Sequence, residues 1–551
     1  MAGTRGSGER KELCGSLRKL HTAAKEARRG HEDIWNSLSK YVVTRSQKVV
    51  PGASKGSRRD TNIYDSTAIQ ANGRFASTLS FLITNQSTDW IGTEIRNKAA
   101  RDSKPFREYV DNADSEMLSA CAESNFYPVA DEFFMDYSGM GTGIMFVEEG
   151  KPGEPHIVCK SLPLFECSWT ENRFGVPDAL YREYTLTVHQ IVSEWGLKNV
   201  NRKVSQLYKD KENWQTEITI LHSIFPRKMA TSMLGRRSRN FEYASIYMIY
   251  EGDNDHVLEE SGYSEQPFMI GRYRKASGET VGRGPGEECL ADIITLNTMS
   301  KTNLKIARKN ADPAWDHEAN AYIGRLKTGA NAVNIRQRGY EPAKPMTESA
   351  NLPFALEMED RRRESIKKSF YVDVLQIPQH DRMTTVEIEK YREEAMQILG
   401  PAFGRICFEF LQPLIVRIWG ILYRKGVFGE SPIPLRPGMF VIRYNSPLAR
   451  AQKAQDLLAL DRALGRLGPY MEIARDEILD WVDFDEITQW VFRLEGVKNK
   501  LVRSKDDVAA RRAQRAEQQM QERMMMMAQM GAKTMKDASG VDMGNLERMA
   551  G

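Results

Sequence analysis

No stretch of about 18 uninterrupted apolar residues, the length a membrane-spanning helix needs, occurs anywhere in this chain. The best candidate, Leu411 to Leu422, is broken by Pro413 and Arg417 and is expected to be a buried helix of a soluble fold. No apolar run follows the first seven residues, Met1 to Ser7, so this end does not resemble a secretory signal. Cysteine is sparse: six residues (14, 121, 159, 167, 289, 407) are scattered, and even Cys159 and Cys167 lie too far apart for a zinc knuckle. Free thiols in a reducing cytoplasm are the expectation. Net charge is also scarce. At +4 over 551 residues the chain is not a generally basic nucleic-acid coat, and any such contact must come from a local concentration of charge.

The motifs of catalysis are missing too. The chain's only Gly-Lys step, Gly150-Lys151, has Met145 where a phosphate-binding loop needs its first Gly and Pro152 where it needs Ser or Thr. This argues against an ATPase. The eight histidines are isolated, with no HExxH pair for zinc. Asp480, Asp483, Asp485 and Glu486 could be drawn as a metal cluster, but acids leading into a helix at Ile487 explain them as well. No catalytic constellation, metal or cofactor is expected, and the chain reads as a protein that is not an enzyme.

What is present is a long folded chain of several structural units, since 551 residues exceed one compact core. Residues 11–47 carry Leu13, Leu17, Leu20, Ala24, Ala27, Ile34, Leu38 and Tyr41 mostly at helical spacing. From about 140 to 275 short apolar runs such as Ile144 to Val147 and Ile246 to Tyr250, separated by polar turns, predict a small β-rich region. The tract Asp136 to Gly143 has the wrong order for a dinucleotide fold, with a helix before it and a strand after, and is read as a helix C-terminal turn.

The middle is the most informative part. Gly282-Arg-Gly-Pro-Gly-Glu-Glu288 opens a helix predicted to run to about Asn310, because Pro285 suits a first turn and Glu287 and Glu288 suit the positive end of the helix dipole. Residues 311–353 look like an inserted subdomain, and a helix returns from Phe354 to Tyr371. Thr384 and Glu387 match a capping box that starts a long helix, interrupted at Gly400-Pro401 and ending near Arg424. Residues 448–500 are again helical, and the Arg-, Gln- and Met-rich tail from 504 is either an exposed helix or disordered.

Between Lys301 and Lys368 the sequence holds fourteen Lys or Arg against nine Asp or Glu, an excess of +5 beside the whole chain's +4. Lys301, Lys305 and Arg308 share one helix face, while Arg361, Arg362 and Arg363 precede Lys367 and Lys368. In a monomer this is a solvated helix face. Repeated around a ring it becomes belts of positive charge that phosphates could pass.

Several segments, in chain order, resemble the head-to-tail connector (portal) family of short-tailed double-stranded-DNA bacteriophages. They are Tyr64 to Ala68, Ala76 to Leu79 with Trp90, Asn125-Phe-Tyr127, and Gly141-Thr-Gly143. The most specific is Glu279 to Gly286 with Leu290, Asp292 and Leu296-Asn297; Pro313, Met383 to Glu387, Leu399-Gly-Pro401 and Ser446 to Arg450 follow. One departure is Met383-Thr-Thr-Val-Glu387, where the family usually reads Met-Thr-Ala-Thr-Glu.

The resemblance implies a mostly helical α+β portal fold that assembles as a dodecameric ring at one capsid vertex of the virion, built in the host cytoplasm. A wing (1–284) would lead to stem helix 1 (285–310), a clip (311–353), stem helix 2 (354–372) and a channel loop (373–383). A long wing helix with a following strand (384–447), a crown (448–503) and a tail (504–551) would complete it. DNA-facing residues would be Lys301, Lys305, Arg308, Arg361, Arg362 and Lys367, with Gln376, Pro378, Gln379, His380 and Arg382 in the channel loop. Trp315, Tyr322, Arg325 and Lys327 of the clip would meet terminase or a tail adaptor. Expected partners are other copies of the chain, the terminase large subunit, the tail adaptor or tube, the major capsid and scaffolding proteins, internal core proteins, and passing double-stranded DNA, with no membrane. A capsid or scaffold component and a DNA-processing enzyme subunit are the alternatives.

Overall fold

The computed structural model describes residues 7–44, 63–95, 104–227, 241–252, 255–328, 331–346, 352–372, 400, 403–432, 440–444, 459–467, 483–494, 502–503 and 505–539. In chain order the elements are α1 (Ser7–Arg28), α2 (Glu32–Tyr41), α3 (Thr67–Ile83), β1 (Ile91–Ile95), α4 (Lys104–Glu123) and α5 (Phe126–Met140). Next come β2 (Thr142–Glu149), β3 (Ile157–Ser161), β4 (Cys167–Glu171), β5 (Pro177–Thr187), α6 (Val188–Trp195), α7 (Arg202–Lys209), β6 (Glu217–Pro226), β7 (Tyr243–Ile249), β8 (His256–Tyr263) and β9 (Phe268–Arg272). The central stretch holds β10 (Arg274–Lys275), β11 (Gly282–Arg283), α8 (Pro285–Glu288), α9 (Leu290–Ala311), β12 (Ala314–Asp316), β13 (Lys344–Met346) and α10 (Leu352–Ser369). Last are α11 (Gln412–Arg424), β14 (Phe440–Tyr444), α12 (Phe484–Leu494) and α13 (Lys505–Ser539).

Two compact units result. The first contains residues 1–90, 117–425 and 446–452. Its β-rich part holds an antiparallel three-stranded sheet (β3-β2-β9) and an antiparallel five-stranded sheet (β4-β5-β6-β7-β8). The larger sheet is covered on both faces, which is why its strands read as apolar runs and not as clean alternation. One face, with Tyr181, Leu221, Ile246 and Met248, packs on Cys14, Leu17 and Ala24 of α1. The other, with Ile218, Ile220 and Ile249, packs on Val188, Ile191 and Val204 of α6 and α7.

The Gly-rich tract ends α5 and begins β2, as its order predicted. Gly141 takes the left-handed C-cap at φ +77°, a conformation that glycine adopts without a Cβ clash. It also permits close contact: a Cβ there would lie 2.3 Å from the Gly284 nitrogen, and one on Gly286 would lie 2.4 Å from the Gly139 carbonyl oxygen. The glycines of residues 282–286 are therefore there for backbone-to-backbone approach, a reason the sequence did not disclose. The helix opening at Pro285 forms with a break at Cys289, between α8 and α9.

Pro413 does not end its helix. Helical structure continues from Phe403 to Arg424, but the turn before the proline, Cys407–Leu411, widens into a π-helix. A proline lacks the N–H, and its ring crowds the carbonyl four residues back; the wider turn accommodates both. Among the described residues this is the one helix long and apolar enough for a membrane span. Phe410, Leu414, Ile418 and Ile421 are nevertheless buried in the fold, with Phe410 stacked on Phe133 at 4.1 Å, so it reads as a core helix. Arg417, which looked like an interruption, is buried and donates to Glu265 at 2.9 Å.

The second unit contains residues 91–116, 426–445 and 453–551. In it β1 and β14 pair antiparallel, Ile91 opposite Tyr444 and Ile95 opposite Phe440. Residues 459–467 and α12 are helical, and so is the part of the tail that lies within the described residues, the helix α13. Asp483 caps α12, accepting from the Asp485 and Glu486 nitrogens at 2.9 and 3.0 Å. Asp485 pairs with Arg512, and no group of three or more His, Cys, Asp or Glu among the described residues could hold a metal; Asp480 lies outside them.

Candidate nucleic-acid interface

The helices α9 and α10 flank the insertion at 312–346 and lean on one another through polar contacts. Asp292 accepts from Arg362 at 2.5 Å and from Ser365 at 3.1 Å, and Glu359 accepts from Asn303 at 2.6 Å. Ile293, Leu296 and Ile366 are buried along the same pair, but low apolar content leaves much of the joining to these ions.

Arg363, which the sequence did not single out from its neighbours, is the hub. It donates to Asp65 at 2.9 Å, Glu359 at 2.8 Å and Asp360 at 2.7 Å. Asp65 also accepts from the Thr67 nitrogen at the start of α3, and the Tyr64 nitrogen donates to Asn297 of α9 at 2.7 Å. The Tyr64 to Ala68 signature thus clamps the first turn of α3 to the helix pair. Burial works to raise the Asp65 pKa, but the Thr67 hydrogen bonds and the Arg363 charge outweigh it and hold it below the usual carboxylate value.

These pairings divide the six predicted helix cations. Arg362 is half-buried against Asp292, and Arg361 is exposed but bridged to Glu357 one turn earlier at 2.7 Å. Lys301 is half-buried with its Nζ 5.5 Å from the Tyr64 ring centre, a cation–π contact. Lys305, Arg308 and Lys367 are exposed. Lys301, Lys305 and Arg308 do lie on one face of α9, whereas on α10 the face of Arg361 is shared by Lys368, seven residues on, and not by Lys367. The five predicted loop residues, Gln376, Pro378, Gln379, His380 and Arg382, lie outside the described residues, as do Thr384 and Glu387.

The insertion is a small, open structure. β12 and β13 pair antiparallel, Trp315 opposite Pro345, and an isolated bridge joins Tyr322 to Arg336. The Ala343 nitrogen donates to the Tyr322 Oη at 2.7 Å. A cleft of about 450 Å³ brings together three of the four predicted residues, Trp315, Tyr322 and Lys327, with Arg336; Arg325 is exposed and does not line it.

The helix pair thus carries an exposed subdomain, with Lys305, Arg308 and Lys367 open to solvent along it. By its sequence the chain belongs to the family of bacteriophage head-to-tail connecting proteins, which it matches over residues 15–502. It is 26% identical to the portal protein of Salmonella phage epsilon15, the alignment covering 98% of both chains. It is also 26% identical to the probable portal protein of Bordetella phage BPP-1, covering 97% of this chain and 96% of that one. Among solved structures it aligns with a chain from the neck of a native gene transfer agent particle computed with C12 symmetry. That alignment covers 80% of this chain and 98% of the other at 11% identity and a TM-score of 0.33.

Proposed function

We propose that this chain is the portal of a short-tailed double-stranded-DNA bacteriophage, a structural protein of the virion that forms a ring at one capsid vertex and conducts the genome in and out. The observation that carries the reading is the family match over residues 15–502, together with end-to-end similarity to two phage proteins named as portals. The finer assignments follow from it: twelve subunits, a wing before residue 285, stem helices at α9 and α10, a clip at 311–353, a channel loop at 373–383 and a crown at 448–503. The clip would receive terminase during packaging and the tail adaptor afterwards, with the Trp315–Tyr322–Lys327 cleft as the contact.

The pairing pattern sharpens the DNA-facing set. Cations held by carboxylates contribute little net charge at a distance, so Lys305, Arg308 and Lys367 are the better candidates for the lumen, and Arg361 and Arg362 the weaker ones. Their contacts with phosphates would be independent of sequence and sensitive to salt. They must also be weak, because tight binding would stall transport. Negative-stain microscopy of the purified protein tests the reading. Closed rings with a central hole wide enough for duplex DNA are expected; a protein that stays monomeric under all assembly conditions would overturn it.

A further inference from the structure

The insertion between α9 and α10 separates its charges. Asp316 stands opposite Lys344 in the β12–β13 register, Lys344 donates to Glu341 at 2.5 Å, and Glu318 accepts from the Glu341 nitrogen at 3.5 Å. The charges of Asp316 and Glu318 bear on Lys344 as well, so these acids gather around one lysine. Successive residues of a strand point to opposite faces, and Trp315, next to Asp316, turns the other way, into the cleft. The charges of the cleft itself are of one sign. Lys327 and Arg336 line it, and no Asp or Glu does. Neither cation makes an ion pair among the described residues.

The cleft is held in shape by its own hydrogen bonds. Tyr322 and Arg336 lie directly opposite one another, framed by bonds from the Ile323 nitrogen to the Ile335 carbonyl and from the Gln337 nitrogen to the Ala321 carbonyl, both 2.9 Å. In such a pair the two side chains leave from the same face, which sends both to the cleft. Asn334 fixes the backbone of Lys327, accepting from its nitrogen at 2.8 Å and donating to its carbonyl at 2.6 Å. The remaining wall includes Trp315, 39% exposed, with Leu326 and Pro342. Two cations that nothing neutralises, beside an apolar wall, suit a ligand that is acidic and apolar at once. A nucleic-acid strand fits less well, since it needs rings free to stack and a row of cations for successive phosphates. Tyr322 is committed through its hydroxyl to the Ala343 nitrogen at 2.7 Å and edge-on to His317 at 5.8 Å, and two cations make no row.

We propose that the cleft takes an extended acidic segment of a docking protein, its carboxylates meeting Lys327 and Arg336 while an apolar side chain enters beside Trp315. The inference rests on the portal reading, in which this insertion is the docking end, and gives the partner's contact its chemistry. The probe is a fluorescein-labelled peptide of glutamates around a central leucine, followed by anisotropy on full-chain particles that microscopy shows to be rings. The same peptide with glutamine for glutamate, and a labelled oligothymidylate, are the comparisons. The acidic peptide should bind at least about ten-fold more tightly than the glutamine one. Lys327→Glu with Arg336→Glu should erase that preference, because two attractions become repulsions; both side chains are exposed, so the fold is kept. Lys198→Glu with Lys209→Glu makes the same change in net charge at exposed residues that do not line the cleft, and should leave peptide binding within about two-fold. Three results would each overturn the acidic contact and leave the portal reading standing. They are equal binding of the two peptides, an equal loss in the Lys198 and Lys209 variant, and oligothymidylate bound more tightly than the peptide and lost with the cleft variant. A chain that never forms rings would overturn both.

Discussion

Arg272 is the best single test of how the first unit is held together. Its side chain is 1% exposed, and all five of its N–H groups are used. Nε donates to Glu409 at 3.0 Å, one terminal nitrogen to Glu409 at 2.6 Å and to the Gly175 carbonyl at 2.8 Å, and the other to Glu171 and to the Thr280 carbonyl at 3.0 Å. This one group ties β9 to the π-turn, to the β4–β5 hairpin and to the segment before β11. Replacing it by Met keeps much of the volume but takes from Glu409, 4% exposed, its closest cation and leaves it the half-exposed Arg405 at 3.3 Å. Breaking a buried pair from one side costs about 3–5 kcal/mol, chiefly because the remaining charge is stranded. At roughly 1 °C per kcal/mol for a unit of about 400 residues, its calorimetric transition should fall by about 3–6 °C. Adding Glu409→Gln to Arg272→Met should recover part of the loss, so that the double variant is less damaged than the two single effects combined. Arg272→Lys should also destabilise, because an ammonium cannot reproduce the planar fork. A cost below about 1 kcal/mol for Arg272→Met, or strict additivity with Glu409→Gln, would refute the reasoning.

Other outcomes follow from the same structure. Gly286→Ala should cost at least about 2 kcal/mol by thermal shift, because its Cβ would meet the Gly139 carbonyl at 2.4 Å and backbone cannot swing aside; a neutral result would mean that the close approach is not real. His222 is buried, stacked on Tyr247 at 3.8 Å, and burial pushes its pKa down to about 3. Between pH 6.5 and about 3 the unfolded chain binds a proton there and the folded chain does not. Its contribution is therefore complete above pH 6.5 and declines as the pH falls, by up to about 1.4 kcal/mol per unit; His222→Gln should flatten that part of the urea-stability profile. Lys305→Gln, Arg308→Gln and Lys367→Gln together should leave rings intact in micrographs while weakening DNA association, the salt slope falling by about 0.9 for each phosphate contact removed. Unchanged DNA binding and salt slope would move the channel contacts elsewhere.

The elements whose signals lie within a few residues could be read directly from the sequence. Pro285 with Glu287 and Glu288 marked a helix start, the Asp136 to Gly143 tract marked a helix end before a strand, and the runs near 144 and 246 marked strands. Helix, insertion, helix was likewise legible over 285–372, because periodicity and turn residues act locally. The family was legible for a related reason: its motifs are short and keep their order.

Which side chain meets which was decided by tertiary structure alone. Arg361, Arg362, Arg363 and Lys367 are near-equivalent in the sequence, yet their fates differ. Arg362 is drawn to Asp292, 70 residues away, and Arg363 to Asp65, 298 residues away, while Lys367 stays in solvent. Pro413 gave a local signal for a break, and packing of the apolar face around it kept the helix and displaced the strain into a π-turn. A chain's local preferences set which elements form, since each costs or gains about a kcal/mol within one or two turns. The partners of buried charges and the approach of glycine backbones depend on residues far apart in sequence. The folded packing alone brings those residues within reach, and there the larger energies of burial and ion pairing decide.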